Sequence, residues 1–308
     1  MRKFLIVFVS MIFGYSNFAF TADAKRGSEE NLLFIGNPGS GKSTLINSLI
    51  GAPVAHAGQS AGGGLTKVFT SYAHRGYHYI DTPGLADVNI RDVAAIQIRD
   101  ALKIGGKYRI FFVINLLNSR VKGEDVTTIN TVMNAIVNPK NAGYNIVINR
   151  LTTKEKKFLL SDPAEMAQVY SALNSGSHKT DSIWYINQDN EVCDDKTEFV
   201  SLDMMFRDFI YKNSRVIEIN GKEVGQVDAN EFEKIKKELT KNIATLQKQM
   251  KRQMKEGSQE YRNLLLRMEK VQENARQDQK DLKEELKVQQ AKGEAAQGGG
   301  DVVVCTIS

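Results

Sequence analysis

Residues 36–43, Gly-Asn-Pro-Gly-Ser-Gly-Lys-Ser, constrain this chain more than any other stretch. They spell G-x-x-x-x-G-K-[ST]. Residues 31–35 before them read as a short buried strand, and 44–50 after them as a helix. Strand, Gly-rich loop and helix is the context this pattern requires. The glycines let backbone N–H groups turn inward around a phosphate, and the helix N-terminus adds a favourable dipole. Gly36, Asn37, Pro38, Gly39, Ser40, Gly41, Lys42, Ser43 and Thr44 are therefore expected to line a phosphate site. Lys42 would reach the β- and γ-phosphates, and the Ser43 hydroxyl would ligate Mg²⁺.

Further along, strand-like and helical runs alternate. A hairpin is expected from 68–73 and 77–80, then a helix at 92–103. The almost wholly apolar 109–117 reads as a central strand buried on both faces. A helix at 124–137, a strand at 145–149, a helical stretch 154–174 broken at Asp162-Pro163, a strand at 182–187 and a closing helix at 198–211 follow. The expected class is α/β, a mostly parallel sheet with helices on both faces. A chain of 308 residues has room for that domain and an appendage.

The appendage begins after a small hairpin or linker, 214–229, turning at Asn220-Gly221. From 230 to 292 there is no proline, and apolar or small residues recur at 232, 235, 239, 243, 246, 250 and 254 before a heptad pattern takes over. The change of period implies a long C-terminal helix or coiled coil of roughly 95 Å. The competing reading is a single helix folded back on the domain. Residues 293–308 read as a disordered tail.

Residues 1–24 read as a secretory signal, with Arg2 and Lys3 ahead of an apolar core and Ala22-Asp23-Ala24 as a cleavage site. The last four residues, beginning at Cys305, resemble a prenylation box, which would instead place the chain on the cytosolic face of a membrane. Cys193 and Cys305 are the only cysteines and sit in no CxxC, so neither a disulfide framework nor a zinc site is expected. The net charge of +5 is spread along the chain and reads as a solvated surface, so no nucleic-acid partner is expected.

Three later pieces converge on the loop. Thr66 ends a Gly-rich segment, 58–64, where a mobile threonine would close on Mg²⁺ and the γ-phosphate. Asp81 stands at a strand end, where a carboxylate would hold Mg²⁺ through water, and the Gly84 N–H can reach the γ-phosphate. The order and spacing indicate a P-loop GTPase-type domain over 25–213. Neither a Rossmann G-x-G-x-x-G nor a kinase catalytic loop is present.

GNPGSGKSTLINSLIG, GGGLTK and YIDTPGLAD together resemble the septin-related branch of GTPases, and within it the immunity-associated nucleotide-binding family. The resemblance spans about residues 31–211. It implies GTP/GDP with Mg²⁺, a homodimer across the nucleotide face, and membrane association. It also implies that Arg120, in the box 117–125, acts in trans on the partner's nucleotide. Asn187, in 182–190, would contact the base. Where relatives carry N-K-x-D, this chain has Asn149-Arg150-Leu151-Thr152. Asn149 can hydrogen-bond the base and Arg150 can pack on it, but Thr152 cannot supply a carboxylate. Leu85 stands where a water-orienting glutamine would be, so slow hydrolysis is expected unless dimerisation assists it. Two functions follow as expectations. One is a nucleotide-controlled switch or assembly module, with Lys42, Thr66 and Arg120 as the catalytic candidates. The other is a nucleotide-binding scaffold with little turnover, working through its coiled coil and that coil's partner.

Overall fold

The apolar residues of Glu30–Ile35 alternate between two cores, and that alternation organises the domain. Leu33 and Ile35 belong to one core and Leu32 and Phe34 to the other, as expected for a strand buried on both faces. The computed structural model describes residues 29–56, 68–137, 143–187 and 202–270. The expectations for 1–24, Gly58–Gly64, Thr66, Cys193, Cys305 and 271–308 lie outside these residues.

The strands are β1 (Glu30–Ile35), β2 (Thr70–His74), β3 (Tyr77–Asp81), β4 (Gly106–Ile114), β5 (Asn145–Leu151), β6 (Ile183–Asn187) and β7 (Ile217–Ile219). They form a seven-stranded sheet in the order β2-β3-β1-β4-β5-β6, with β7 beside β4. β1, β3, β4, β5 and β6 run parallel; β2 is antiparallel to β3. The helices are α1 (Lys42–Ile50), α2 (Arg91–Lys103), α3 (Gly123–Asn134), α4 (Thr153–Ser161), α5 (Pro163–Leu173), α6 (Met204–Asp208) and α7 (Phe232–Glu256).

α2, α3 and α5 pack on the face carrying Leu33, Ile110 and Ile146. α1 and α6 pack on the other, against Phe34, Phe111 and Trp184. The sheet order reverses at β1, which lies between β3 and β4. In open α/β sheets the crevice at the carboxyl ends of the strands at such a point is where ligands bind. Arg207 of α6 fixes the far end of α1 by donating to the Ser48 and Leu49 carbonyls.

Two expectations are corrected. Residues 214–229 are not a hairpin. β7 pairs antiparallel with Gly106–Tyr108 of β4, and Val224 bridges Ile136 instead of β7. The cause is an open edge: β5 pairs with β4 only from Phe111 onward, leaving the start of β4 unpaired on that side. Asn145 secures the join by donating to the Arg215 carbonyl and accepting from its N–H.

The unbroken helix expected from 230 onward stops at Gly257, which takes φ 61° and donates to the Gln253 carbonyl. Glycine adopts this left-handed cap without a Cβ penalty. Helix resumes at 259–270. α7 lies back on the domain: Phe232, Leu239 and Ile243 join the α2–α3 core. Met250, Tyr261 and Met268 pack on Ala164, Met166 and Ala167 of α5. Most of the described part of the expected coiled-coil stripe therefore faces α3 and α5, while Met254 stays exposed. The approach is close enough that a Cβ on Gly123 would stand 2.1 Å from Thr240 Oγ1. No helix among the described residues is long and apolar enough to cross a membrane.

Candidate nucleotide site

β1 ends at Ile35 and the chain turns at once into the loop 36–41. Gly39 and Gly41 adopt φ 76° and 92°, conformations that L side chains rarely take. Gly36 is held by space: a Cβ there would meet the Val113 carbonyl at 2.2 Å. Gly41 is also a tight fit, its Cβ position lying 2.5 Å from Asn149 Nδ2. The loop is therefore a backbone cradle that no larger residue could build.

Lys42 opens α1 and is buried. Its Nζ donates to the Gly36 carbonyl at 2.9 Å and lies 3.5 Å from the Asn37 carbonyl. Burial lowers its pKa, and the nearby Asp81 partly opposes that. A phosphate at the loop would relieve the same desolvation by supplying negative charge. Ser43 Oγ donates to Asp81 Oδ2 at 2.6 Å. A hydroxyl and a carboxylate in contact are the hard oxygen donors that Mg²⁺ selects. These two residues fit the metal: they would hold it, and it would neutralise phosphate charge when bound. Thr82 Oγ1 donates to the Phe34 carbonyl at 2.8 Å and ties the end of β3 to β1.

Gly84 follows and presses on the loop from the β3 side. A Cβ there would stand 2.5 Å from Pro38 Cδ. Leu85, the next residue, is fully buried in the α2–α3 core. Its side chain therefore points away from the loop.

From the other side, β5 breaks register between Ile148 and Leu151, and Arg150 takes φ 58°. This irregularity re-aims two side chains, a common use of such breaks. Asn149 Nδ2 donates to the Ser40 carbonyl at 2.9 Å, and Arg150 Nη1 to the Gly39 carbonyl at 3.1 Å. Thr152 caps α4. Asn187 closes β6 at the same edge of the sheet.

Arg120 sits on the connection leaving β4. Leu117 and Arg120 exchange both backbone hydrogen bonds across Asn118 and Ser119, whose φ values are 51° and 61°. Two positive φ angles define a type I′ turn. The turn exposes Arg120, and its side chain makes no hydrogen bond or ion pair among the described residues.

Lys42, Ser43, Asp81, Gly84, Asn149 and Arg150 are thus brought to one loop; the exposed Arg120 side chain makes no hydrogen bond to it. Three residues that sequence reasoning left out of the site also touch it. Asn115, just past β4, donates to the Gly39 carbonyl at 3.1 Å. Asp125 of α3 accepts from Asn37 Nδ2 at 2.7 Å, and Thr128 donates to Asn37 Oδ1 at 3.1 Å. The Asp125 carboxyl is pushed up to about 7, chiefly by burial, with Lys122 opposing and Glu124 adding to the rise. No local motif marks these contacts, which join residues 76 to 91 positions apart.

Residues 31–150, less than half of the chain, match the family described as 50S ribosome-binding GTPase. Among solved structures the chain is similar to Toc33 from Arabidopsis thaliana in complex with GDP and Mg²⁺. The identity is 18% over 63% of this chain and 89% of that one, with a TM-score of 0.41. Era of Aquifex aeolicus bound to GDP and AlF₄⁻ shares 20% identity over 52% of this chain and 51% of that one, with a TM-score of 0.36. NFeoB from S. thermophilus bound to GDP, AlF₄⁻ and K⁺ shares 13% over 80% and 91%, with a TM-score of 0.32. No curated protein matches the chain. The family match, the strand–loop–helix cradle and the parallel sheet define residues 31–150 as a GTP-binding G domain of the P-loop class.

Proposed function

We propose that this chain is a nucleotide-controlled switch or assembly module that binds GTP and GDP with Mg²⁺ and hydrolyses GTP slowly. The observation that carries this reading is the 2.6 Å bond from Ser43 to Asp81. It joins the first turn of α1, directly after the phosphate loop, to the end of β3, and Gly84, three residues beyond Asp81, packs against Pro38 of that loop. A γ-phosphate and its metal would pull on both at once.

Slow turnover follows from Leu85. A fully buried aliphatic side chain cannot orient an attacking water. Help from a second copy, with Arg120 entering the partner's site, is part of the proposal, as are closure of Thr66 on the metal and contact of Asn187 with the base. The exposed Arg120 turn supports an encounter of that kind. Placement in the septin-related, immunity-associated branch rests on the GGGLTK and YIDTPGLAD stretches and belongs to the same proposal. So do a membrane association and an address set by the N-terminal signal or by Cys305. The scaffold reading with little turnover is supported by Leu85 as well, although the described part of α7 is committed to α3 and α5 rather than left for a partner helix.

The experiment is static light scattering on the purified full chain with GDP and with a non-hydrolysable GTP analogue. The switch reading expects a doubling of mass with the analogue alone. A mass that ignores nucleotide rules it out.

A further inference from the structure

The sequence leaves a gap where guanine is read, because Thr152 has no carboxylate. The fold supplies one from one turn further on. Thr152 is the N-cap of α4 and forms a reciprocal capping box with Glu155. The Thr152 N–H donates to Glu155 Oε2 at 3.1 Å, and the Thr152 hydroxyl donates to the same oxygen at 2.9 Å. In return, the Glu155 N–H donates to Thr152 Oγ1 at 3.1 Å. The Glu155 carboxylate is thereby folded back onto the side chain of residue 152. Both donors fall on Oε2, and Oε1 accepts no hydrogen bond among the described residues.

The neighbours of this carboxylate are fixed independently. Asn149 and Arg150, three and two residues before Thr152, are tied to the Ser40 and Gly39 carbonyls of the phosphate loop. The segment carrying Thr152 and Glu155 is therefore anchored to the loop that holds the nucleotide. We infer that Glu155 is the specificity residue of this site, its carboxylate accepting from N1–H and the 2-amino group of guanine. The inference rests on the guanine-nucleotide reading above.

The chemistry is selective in both directions. A carboxylate is an acceptor with about four lone-pair sites, enough to keep the Thr152 bonds and take two from the base. Guanine offers two donors side by side, and the pairing is charge-assisted. Adenine presents a lone pair at N1, which would face the carboxylate and leave it unpaired. Xanthine replaces the 2-amino group by a carbonyl. It would therefore be rejected by a carboxylate and accepted by an amide, which can donate.

The test uses the full chain and competition of GDP, IDP, XDP and ADP against a fluorescent GDP analogue, for the wild type and Glu155→Gln. Glutamine keeps the capping box, so the substitution changes base chemistry without removing the helix cap; a matching thermal melt verifies this. The wild type is expected to prefer GDP over IDP and XDP. Glu155→Gln is expected to weaken GDP by about tenfold or more and to strengthen XDP. Adding Thr152→Asp to Glu155→Gln is expected to restore the guanine preference. If the wild type discriminates and Glu155→Gln leaves all four affinities unchanged, the assignment of Glu155 is overturned and the guanine site stands. If the wild type binds ADP as well as GDP, the guanine reading itself falls, and this inference with it.

Discussion

Arg91 Nη2 donates to Glu233 Oε1 at 2.7 Å and so joins the first turn of α2 to the first turn of α7. The same guanidinium donates from Nε to the Leu85 carbonyl at 2.9 Å and lies 4.4 Å from the centroid of the Phe232 ring. The C-terminal helix is thus wired to the residue that follows Gly84 at the nucleotide loop. The two partners are unequal: the Arg91 side chain is 10% exposed and that of Glu233 is 56% exposed. Removing the arginine leaves a buried carbonyl and a ring without their donor, whereas the arginine can replace Glu233 with water. Arg91→Ala should cost about 2–3 kcal/mol and Glu233→Ala under about 1 kcal/mol. Urea denaturation of the two variants checks the order; equal losses would contradict it.

Phe232 is fully buried in the core that α7 shares with α2 and α3. Phe232→Ala should destabilise the domain by about 3–5 kcal/mol. Ile96→Ala, at a position 47% exposed on α2, should stay within about 0.5 kcal/mol. If α7 were an independent appendage, Phe232→Ala would leave the main unfolding transition in place.

These contacts mark where the sequence stops being legible. The phosphate loop was readable because its chemistry is contiguous: eight residues, a strand before and a helix after. The β2–β3 hairpin was readable for the same reason, since Arg75-Gly76 turns it locally. The pairing of β7 with β4 was not, because it depends on where β5 begins, more than 30 residues from either strand. The stripe on α7 was visible, but periodicity does not say whether a stripe meets a partner helix or its own domain. Gly257 could have ended the helix on paper, since glycine is the usual left-handed cap. Within the site, Asn37, Asp125 and Thr128 meet only through the packing of α3. Glu155 was different: Thr152-Thr-Lys-Glu155 is a capping-box sequence that could have been read directly.

Asp125 gives the domain a pH dependence. Its carboxyl titrates near 3.8 when exposed and is pushed up to about 7 in the fold, mainly by burial. The folded state therefore binds more protons than the unfolded state between these values, and stability falls as pH rises through that window. The contribution is fully present below about pH 4 and gone above about pH 7. Asp125→Asn should flatten this fall, because an amide keeps an acceptor for Asn37 and carries no charge. Thermal melts from pH 4 to 8 check it. An unchanged slope in Asp125→Asn would assign the dependence to other groups.

Gly84 and Gly51 separate space from backbone strain. Gly51 takes φ 80° with open space around its Cβ position, whereas a Cβ on Gly84 would meet Pro38 at 2.5 Å. Gly51→Ala should cost about 1 kcal/mol of stability and leave GDP affinity alone. Gly84→Ala should push on the phosphate loop and weaken GDP by about tenfold or more. GDP titration of both variants decides; equal affinities would mean that Gly84 does not shape the loop.

The central claim is that Lys42, Ser43 and Asp81 hold a guanine nucleotide and Mg²⁺. The measurement that tests it most directly is competition of GTP against ATP on the purified full chain, with and without Mg²⁺, alongside Lys42→Ala. GTP should displace a labelled guanine nucleotide in a Mg²⁺-dependent manner, ATP at matched concentration should not, and Lys42→Ala should abolish binding while the protein stays folded. Equal displacement by ATP, or binding that survives Lys42→Ala, would contradict the account.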